Sequence, residues 1–282
     1  MSTNRIEDEI ATIRRQLAAL DAERQGLEVR LGELELAHTR KPIDDVPTAP
    51  VTNNSPAPDK IALFRSLFGG RTDVFPVRWD NPKTGRSGYA PAFSNEWVRG
   101  VCGKPQVKCG ECPSQAFIPV TNDVIECHLR GEDRLRVTAR GGDFVAGVYP
   151  LFYDDTCSFL AVDFDDENWA TDARAFIATC REVGISAAIE RSRSGNGGHV
   201  WLFFSKPVAA ASARRLGTLI LTRTMNCRPE IGFASYDRLF PSQDSMPSGG
   251  FGNLIALPLQ RLAREHGNSV FVDDELRPHD DQ

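Results

Sequence analysis

The 282-residue chain contains no apolar run near the ~18 residues that a helical membrane span requires, so an integral membrane protein is not expected. Its first 36 residues are rich in charge and lack an apolar h-region, so they do not read as a secretory signal. A cytoplasmic, reducing compartment is therefore expected, in which the seven cysteines serve as thiols or metal ligands rather than disulfides. No Gly-Lys-Ser/Thr follows the glycine-rich stretch at 195–198, which excludes a Walker loop there. Histidine is scarce, with five residues and no His-x-His pair, which argues against a rolling-circle nuclease; Tyr236, on a predicted strand, is also poorly placed as its nucleophile.

Apolar residues at 41% and charged residues at 25% suit a soluble chain with a true core. The net charge of −5 is unevenly spread. Residues 1–59 carry seven Lys/Arg against eleven Asp/Glu, and residues 273–282 carry one Arg against five acids, so the middle is slightly basic. A negative total therefore does not exclude a nucleic-acid partner.

Residues 1–37 read as a coiled-coil helix with the seam Ile6, Ile10, Ile13, Leu17, Leu20, Leu27, Leu31 and Leu34, broken only by Arg24. A 3.5-residue apolar period buries one stripe against a partner helix, so a homodimer through this segment is expected, with an amphipathic helix folded onto its own domain as the rival. Residues 38–59, with Pro42, Pro47, Pro50, Pro56 and Pro58, read as a disordered linker. An N-terminal lobe over 60–150, a catalytic core over 151–272 and an acidic tail over 273–282 complete the division. In the core, strand and helix periods alternate: a strand at Cys157–Asp165, a helix through Ala173, Phe176, Ile177, Cys180 and Val183, a strand at Ile185–Glu190 and another at His199–Phe204. A helix opened by Pro207 and a last strand within Ile231–Phe240 follow. The expected fold is α/β (α+β), a split β-α-β-β-α-β, RRM- or palm-like unit preceded by an α/β lobe.

The strand ending in Asp163-Phe-Asp165 places two carboxylates on one face, since strand residues two apart point the same way. Paired like charges call for a cation, and hard Mg²⁺ or Mn²⁺ takes oxygen ligands together with phosphates. The next hairpin, Arg191-Ser-Arg-Ser194-Gly195-Asn196-Gly-Gly-His199, offers backbone N–H groups and donors suited to a triphosphate, although such a hairpin alone is more often just a turn. A third acid is sought on the last strand, where Asp237 is preferred and Asp244 held in reserve. Arg238 beside it would neutralise phosphate charge or pair with a surface acid.

These three segments resemble the motifs of archaeo-eukaryotic primases and primase-polymerases, and most closely the primase domain of TOTE conflict systems. The similar strings are Ser-Gly-Asn-Gly-Gly-His-Val-Trp (194–201), Ser-Tyr-Asp-Arg-Leu-Phe-Pro-Ser-Gln-Asp (235–244) and Gly-Gly-Phe-Gly-Asn-Leu-Ile-Ala-Leu-Pro-Leu-Gln (249–260). The resemblance runs from about residue 60 to 274 and implies a DNA primase-polymerase that transfers NTP or dNTP onto a template and primer. It implies two divalent ions on Asp163, Asp165 and Asp237, with Ser194, Gly195, Asn196, His199 and Arg238 around the triphosphate. It further implies a conflict, defence or replication role and a helicase partner or fusion, and the chain itself is expected to be an excised domain. A catalytically inactive nucleic-acid-binding module of the same fold is the alternative.

Cys102-x6-Cys109-x2-Cys112 has the spacing of a zinc knuckle, with His128 or Cys127 as fourth ligand. The resemblance favours His128, through the segment His128-Leu-Arg-Gly131, and a closed structural Zn²⁺ is expected there. Lys83, Arg86, Tyr89, Trp97, Lys104 and Lys108 are candidates for contacting template phosphates and bases.

Overall fold

The computed structural model describes residues 50–282 apart from 97, 105, 108–111, 113, 115, 138–142, 230, 232–237 and 248–249, and of residues 1–49 only Ile13, Gln16, Leu17 and Leu20. Two compact units are formed, Met1–Pro42 and Ile43–Gln282. In the first, the four described residues are helical and exposed; the rest of the expected seam lies outside the described residues.

In the second unit, prolines whose composition predicts a linker open a helix instead. Pro56 caps α1 (Ala57–Leu67) and Pro58 lies in its first turn, where a missing N–H costs nothing because no intrahelical acceptor awaits it. Residues just before it are tied down as well, since the Asn53 side chain donates to the Asp280 carbonyl at 2.7 Å. The ordered body thus begins ahead of Lys60. An antiparallel ribbon follows, β1 (Pro76–Asn81) and β2 (Arg86–Pro91), then α2 (Asn122–Arg130) and the short β3 (Gly147–Val148). Helix α2 starts where the Thr121 side chain accepts from the Val124 N–H and stops at Gly131 in the left-handed conformation.

Strand β4 (Thr156–Phe164) is apolar on both faces and therefore central. After it come α3 (Trp169–Glu182), β5 (Ala188–Arg191), β6 (Gly198–Ala209), α4 (Ala210–Cys227) and β7 (Leu239–Phe240). The last elements are β8 (Ile255–Ala256), the short α5 (Arg261–Arg264) and β9 (Val270–Val272). The main sheet runs β7-β4-β6-β5-β9, antiparallel throughout. Its first four strands with α3 and α4 make the split β-α-β-β-α-β order. Strand β6 continues past Pro207, which the sequence places at a helix start. Pro207 falls where the β4–β6 register shifts between Cys157 and Phe159, a position that asks no ladder N–H of it.

The two faces of the sheet bury two clusters. Leu160, Val162, Phe164, Val200 and Leu202 pack under Phe176, Ile177 and Cys180 of α3 and Ile220 and Leu221 of α4. On the other face Phe159, Ala161 and Trp201 meet Phe64 and Phe68, Val124 of α2, Phe144, Val148, and Ile255 and Leu257. This second cluster runs continuously across residues 150–151, and β8 pairs with β3, so residues on both sides of that point share one core. The acidic segment from 273 onward is held too: Arg181 forms a bidentate pair with Asp274 at 2.6 and 2.7 Å. Among the described residues no helix is long and apolar enough to cross a membrane.

Candidate active site

Alternation along β4 decides where the acids go. Phe159 and Ala161 point into the core beneath α1 and α2, so Asp163, two residues on, emerges on that same face at its open edge, with a side chain 25% exposed. Asp163 lies directly across from His199 on β6, which lies across from Glu190 on β5. One row of three adjacent strands thus carries Glu190, His199 and Asp163. Glu190 is 2% exposed and accepts from His199 Nδ1 at 2.7 Å and from Trp201 Nε1 at 3.0 Å. Since a carboxylate only accepts, the Nδ1 proton is fixed toward Glu190 and Nε2 is aimed at Asp163, 3.6 Å from Oδ1. Burial disfavours the charged imidazole, but the charge and hydrogen bond of Glu190 and the charge of Asp163 outweigh it, leaving the His199 pKa above its ordinary value.

The glycine turn between β5 and β6 sits against the end of β4. Gly195 has φ +80°, and a Cβ on Gly197 would lie 2.8 Å from the Phe164 carbonyl oxygen and 3.2 Å from Asp165 Cα. Ser194 accepts from the Asn196 N–H at 3.2 Å, and both residues are exposed. The structure therefore gathers Asp163, His199 and the 194–197 turn at one place, with Asp165 behind the turn. Asp165, 55% exposed at its side chain, is ion-paired with Arg238. Gly197→Ala is expected to push the turn off Asp165 and to destabilise the fold by roughly 1–3 kcal/mol, read from the thermal unfolding midpoint.

Asp237 lies outside the described residues. Asp244 is 60% exposed and pairs with Arg214 on α4, the helix that covers the opposite face of the sheet from Asp163. Glu190 was not among the residues singled out from sequence; it is an acid inside a strand of only four residues. Around the same edge, Tyr89 on β2 is half-buried and its pKa stands above the ordinary value, desolvation outweighing the nearby Arg193 and Arg78. Arg193 approaches Asp143 at 3.8 Å.

The histidine of the expected zinc set is placed elsewhere. His128 is fully buried, its Nδ1 accepting from the Ala146 N–H at 3.1 Å and its Nε2 donating to the Pro258 carbonyl at 2.8 Å. With both nitrogens engaged, His128 is corrected from metal ligand to core residue. Cys102, Cys112 and Cys127 are described and Cys109 is not; among the described residues no three His, Cys, Asp or Glu side chains gather as a metal site. Burial, aided by the charge of Arg264 and opposed by the Pro258 hydrogen bond, lowers the His128 pKa to about 4. A histidine kept neutral by the fold contributes stability above its unfolded pKa near 6.5, and that contribution is lost as pH falls toward 4. Urea unfolding is expected to show a loss on the order of 2 kcal/mol between neutral pH and about pH 5 that is missing from His128→Gln.

By its match to a family model, the chain belongs to the class of archaeo-eukaryotic primases. Within that class, the chain belongs to the archaeo-eukaryotic primase domain family of TOTE conflict systems, whose family model matches residues 59–282. Among solved structures, the polymerase domain of Ligase D from Mycobacterium tuberculosis, in complex with DNA, is similar at 13% identity over 62% of this chain and 65% of that chain, with a TM-score of 0.34. No curated protein matches the chain.

Proposed function

We propose that this domain is a DNA primase-polymerase, a nucleotidyltransferase that joins a 3′-hydroxyl to the α-phosphorus of an NTP or dNTP on a template and releases pyrophosphate. The observation that supports this most is the row Glu190–His199–Asp163 beside a glycine turn, because it sets a proton donor and free carboxylate oxygens where a triphosphate would lie. Asp163 has no hydrogen-bond partner for its oxygens among the described residues, His199 Nε2 lying beyond that range. Its hard oxygen donors, with Asp165 and Asp237, fit Mg²⁺ or Mn²⁺, two ions in the family's pattern. When bound, such ions supply positive charge against the phosphate oxygens.

The chain's own residues do the rest. His199, with its charged form favoured and its Nδ1 proton held by Glu190, presents Nε2 as a donor to a phosphate oxygen. Ser194, Gly195 and Asn196 line the turn beside it, and Arg238 is close enough to Asp165 to exchange that partner for a phosphate. Positioning and charge, rather than covalent catalysis, carry the reaction.

The rival reading, a nucleic-acid-binding module without turnover, draws on the Arg238–Asp165 ion pair, which engages one carboxylate of the set. Incubating the protein with a primed DNA template, triphosphates and Mn²⁺ or Mg²⁺ separates the two. Extension that stops when the divalent ion is chelated supports the polymerase, and absence of extension with either ion, alongside retained DNA binding, supports the module. Structural Zn²⁺ on Cys102, Cys109 and Cys112, dimerisation through residues 1–37, and a helicase partner or fusion in a conflict or replication system complete the proposal.

A further inference from the structure

The β1–β2 ribbon carries features that neither the core nor the acidic site explains. Trp79 on β1 is 44% exposed, the largest exposed aromatic side chain among the described residues. It lies across from Gly88, and a Cβ at Gly88 would come within 3.0 Å of the indole ring. The ring therefore rests flat against bare backbone, its underside supported and its outer side open. On the same pleat face, two pairs nearer the tip, stands Arg86, opposite Asn81, and Lys83 occupies the turn. Among the described residues neither Lys83 nor Arg86 has an ion-pair partner, whereas Arg78 on the other face pairs with Asp80.

The ribbon is fixed at its base. Arg78 donates its backbone N–H to the Val145 carbonyl at 2.9 Å, and Val77 bridges to Ala146. Its opposite face faces the acidic site: Tyr89 feels the charges of Glu190, Arg193 and Asp143. An arm anchored beside the site thus presents a supported indole with two cations next to it that have no ion-pair partner among the described residues.

We infer that this face is a stacking platform for single-stranded nucleic acid, one base lying on Trp79 while Arg86 and Lys83 hold the flanking phosphates. A sequence-tolerant strand needs that combination, since every base has a π-face and every linkage a negative charge. The inference rests on the polymerase reading and names where the template strand runs before it reaches the acids. Duplex is not favoured, because stacked pairs offer no free base face to the indole.

The test measures anisotropy of a labelled single-stranded oligodeoxythymidylate with the full chain, without triphosphate or divalent ion. Trp79→Ala is expected to bind between about 5-fold and 150-fold more weakly, with Trp79→Phe within a few-fold of the parent. Arg86→Ala, which leaves the indole in place, is expected to reduce the slope of log affinity against log salt by about 0.7. Both substitutions lie on an exposed ribbon, and unchanged circular dichroism verifies the fold. If the parent binds the oligonucleotide and Trp79→Ala and Arg86→Ala match it, the platform is overturned while the polymerase stands. Tighter binding of duplex, unaffected by Trp79, overturns it as well. If the parent binds no single strand at all, the platform is overturned, and metal-dependent primer extension decides the polymerase reading separately.

Discussion

Asp163→Ala is expected to slow nucleotide incorporation by on the order of 10²–10³, the loss seen when a group that stabilises developing charge is removed. The side chain sits at the edge of the core face, a quarter exposed and across the ladder from His199, so its removal leaves no buried cavity. Unfolding free energy should change by less than about 1 kcal/mol. Asp244→Ala is the matched control. Its carboxylate pairs with Arg214 on α4, on the far side of the sheet, and extension should persist. Primer extension under saturating template, with unfolding monitored in parallel, separates a chemical loss from a structural one. Extension by Asp163→Ala at the parental rate would remove Asp163 from the chemistry.

The largest expected loss of stability belongs to Trp201. It is fully buried on β6, with ring centroids 5.0 Å from Phe68, 5.1 Å from Phe159 and 6.2 Å from Phe203. Truncating it to alanine opens a void between Phe68, Phe159 and Phe203, which costs about 3–5 kcal/mol. The same change strips a donor from the buried Glu190, adding to the loss. A domain of this size is stable by only about 5–15 kcal/mol, so the variant should unfold at much lower urea. Trp201→Phe keeps most of the ring and separates the two contributions. It should lose chiefly the hydrogen bond, about 1–3 kcal/mol. An alanine variant within about 1 kcal/mol of the parent would contradict this packing account.

The elements that were legible in the sequence are those whose signal is local. The run from Phe159 to Asp163 declares both a buried strand and the face Asp163 must take, because the period of a strand is fixed at two; Asp165 falls past the end of β4, where that period no longer places it. Helix α3 shows its buried stripe at Ala173, Phe176, Ile177 and Cys180 in the same way. Glu190 was hidden because β5 has four residues, too few for a period to stand out. Strands β8 and β9 span two and three residues and owe their existence to partners more than a hundred and about eighty residues away, at Gly147–Val148 and Ile189–Arg191. His128 misled for a different reason. Cysteine and histidine spacing reports which ligands are available, but not which nitrogens the backbone has already claimed, and here Ala146 and Pro258 claim both. Pro56 and Pro58 show the limit of composition: the residue type that ends most helices is tolerated in a first turn.

The stitching of β8 to β3 and of β9 to β5 sets the order of events during synthesis. Helices α1 to α4 and the β4–β6 pairing can form as the chain emerges. The edge beside β5 and the second strand of the β3 pair stay open until residues 255–272 have left the ribosome. Until then Val148 and Ile189 border exposed strand edges, the surfaces most prone to pairing with another chain. A nascent polypeptide stalled before residue 255 should therefore be a favoured client for chaperones, while release past residue 272 closes both edges together.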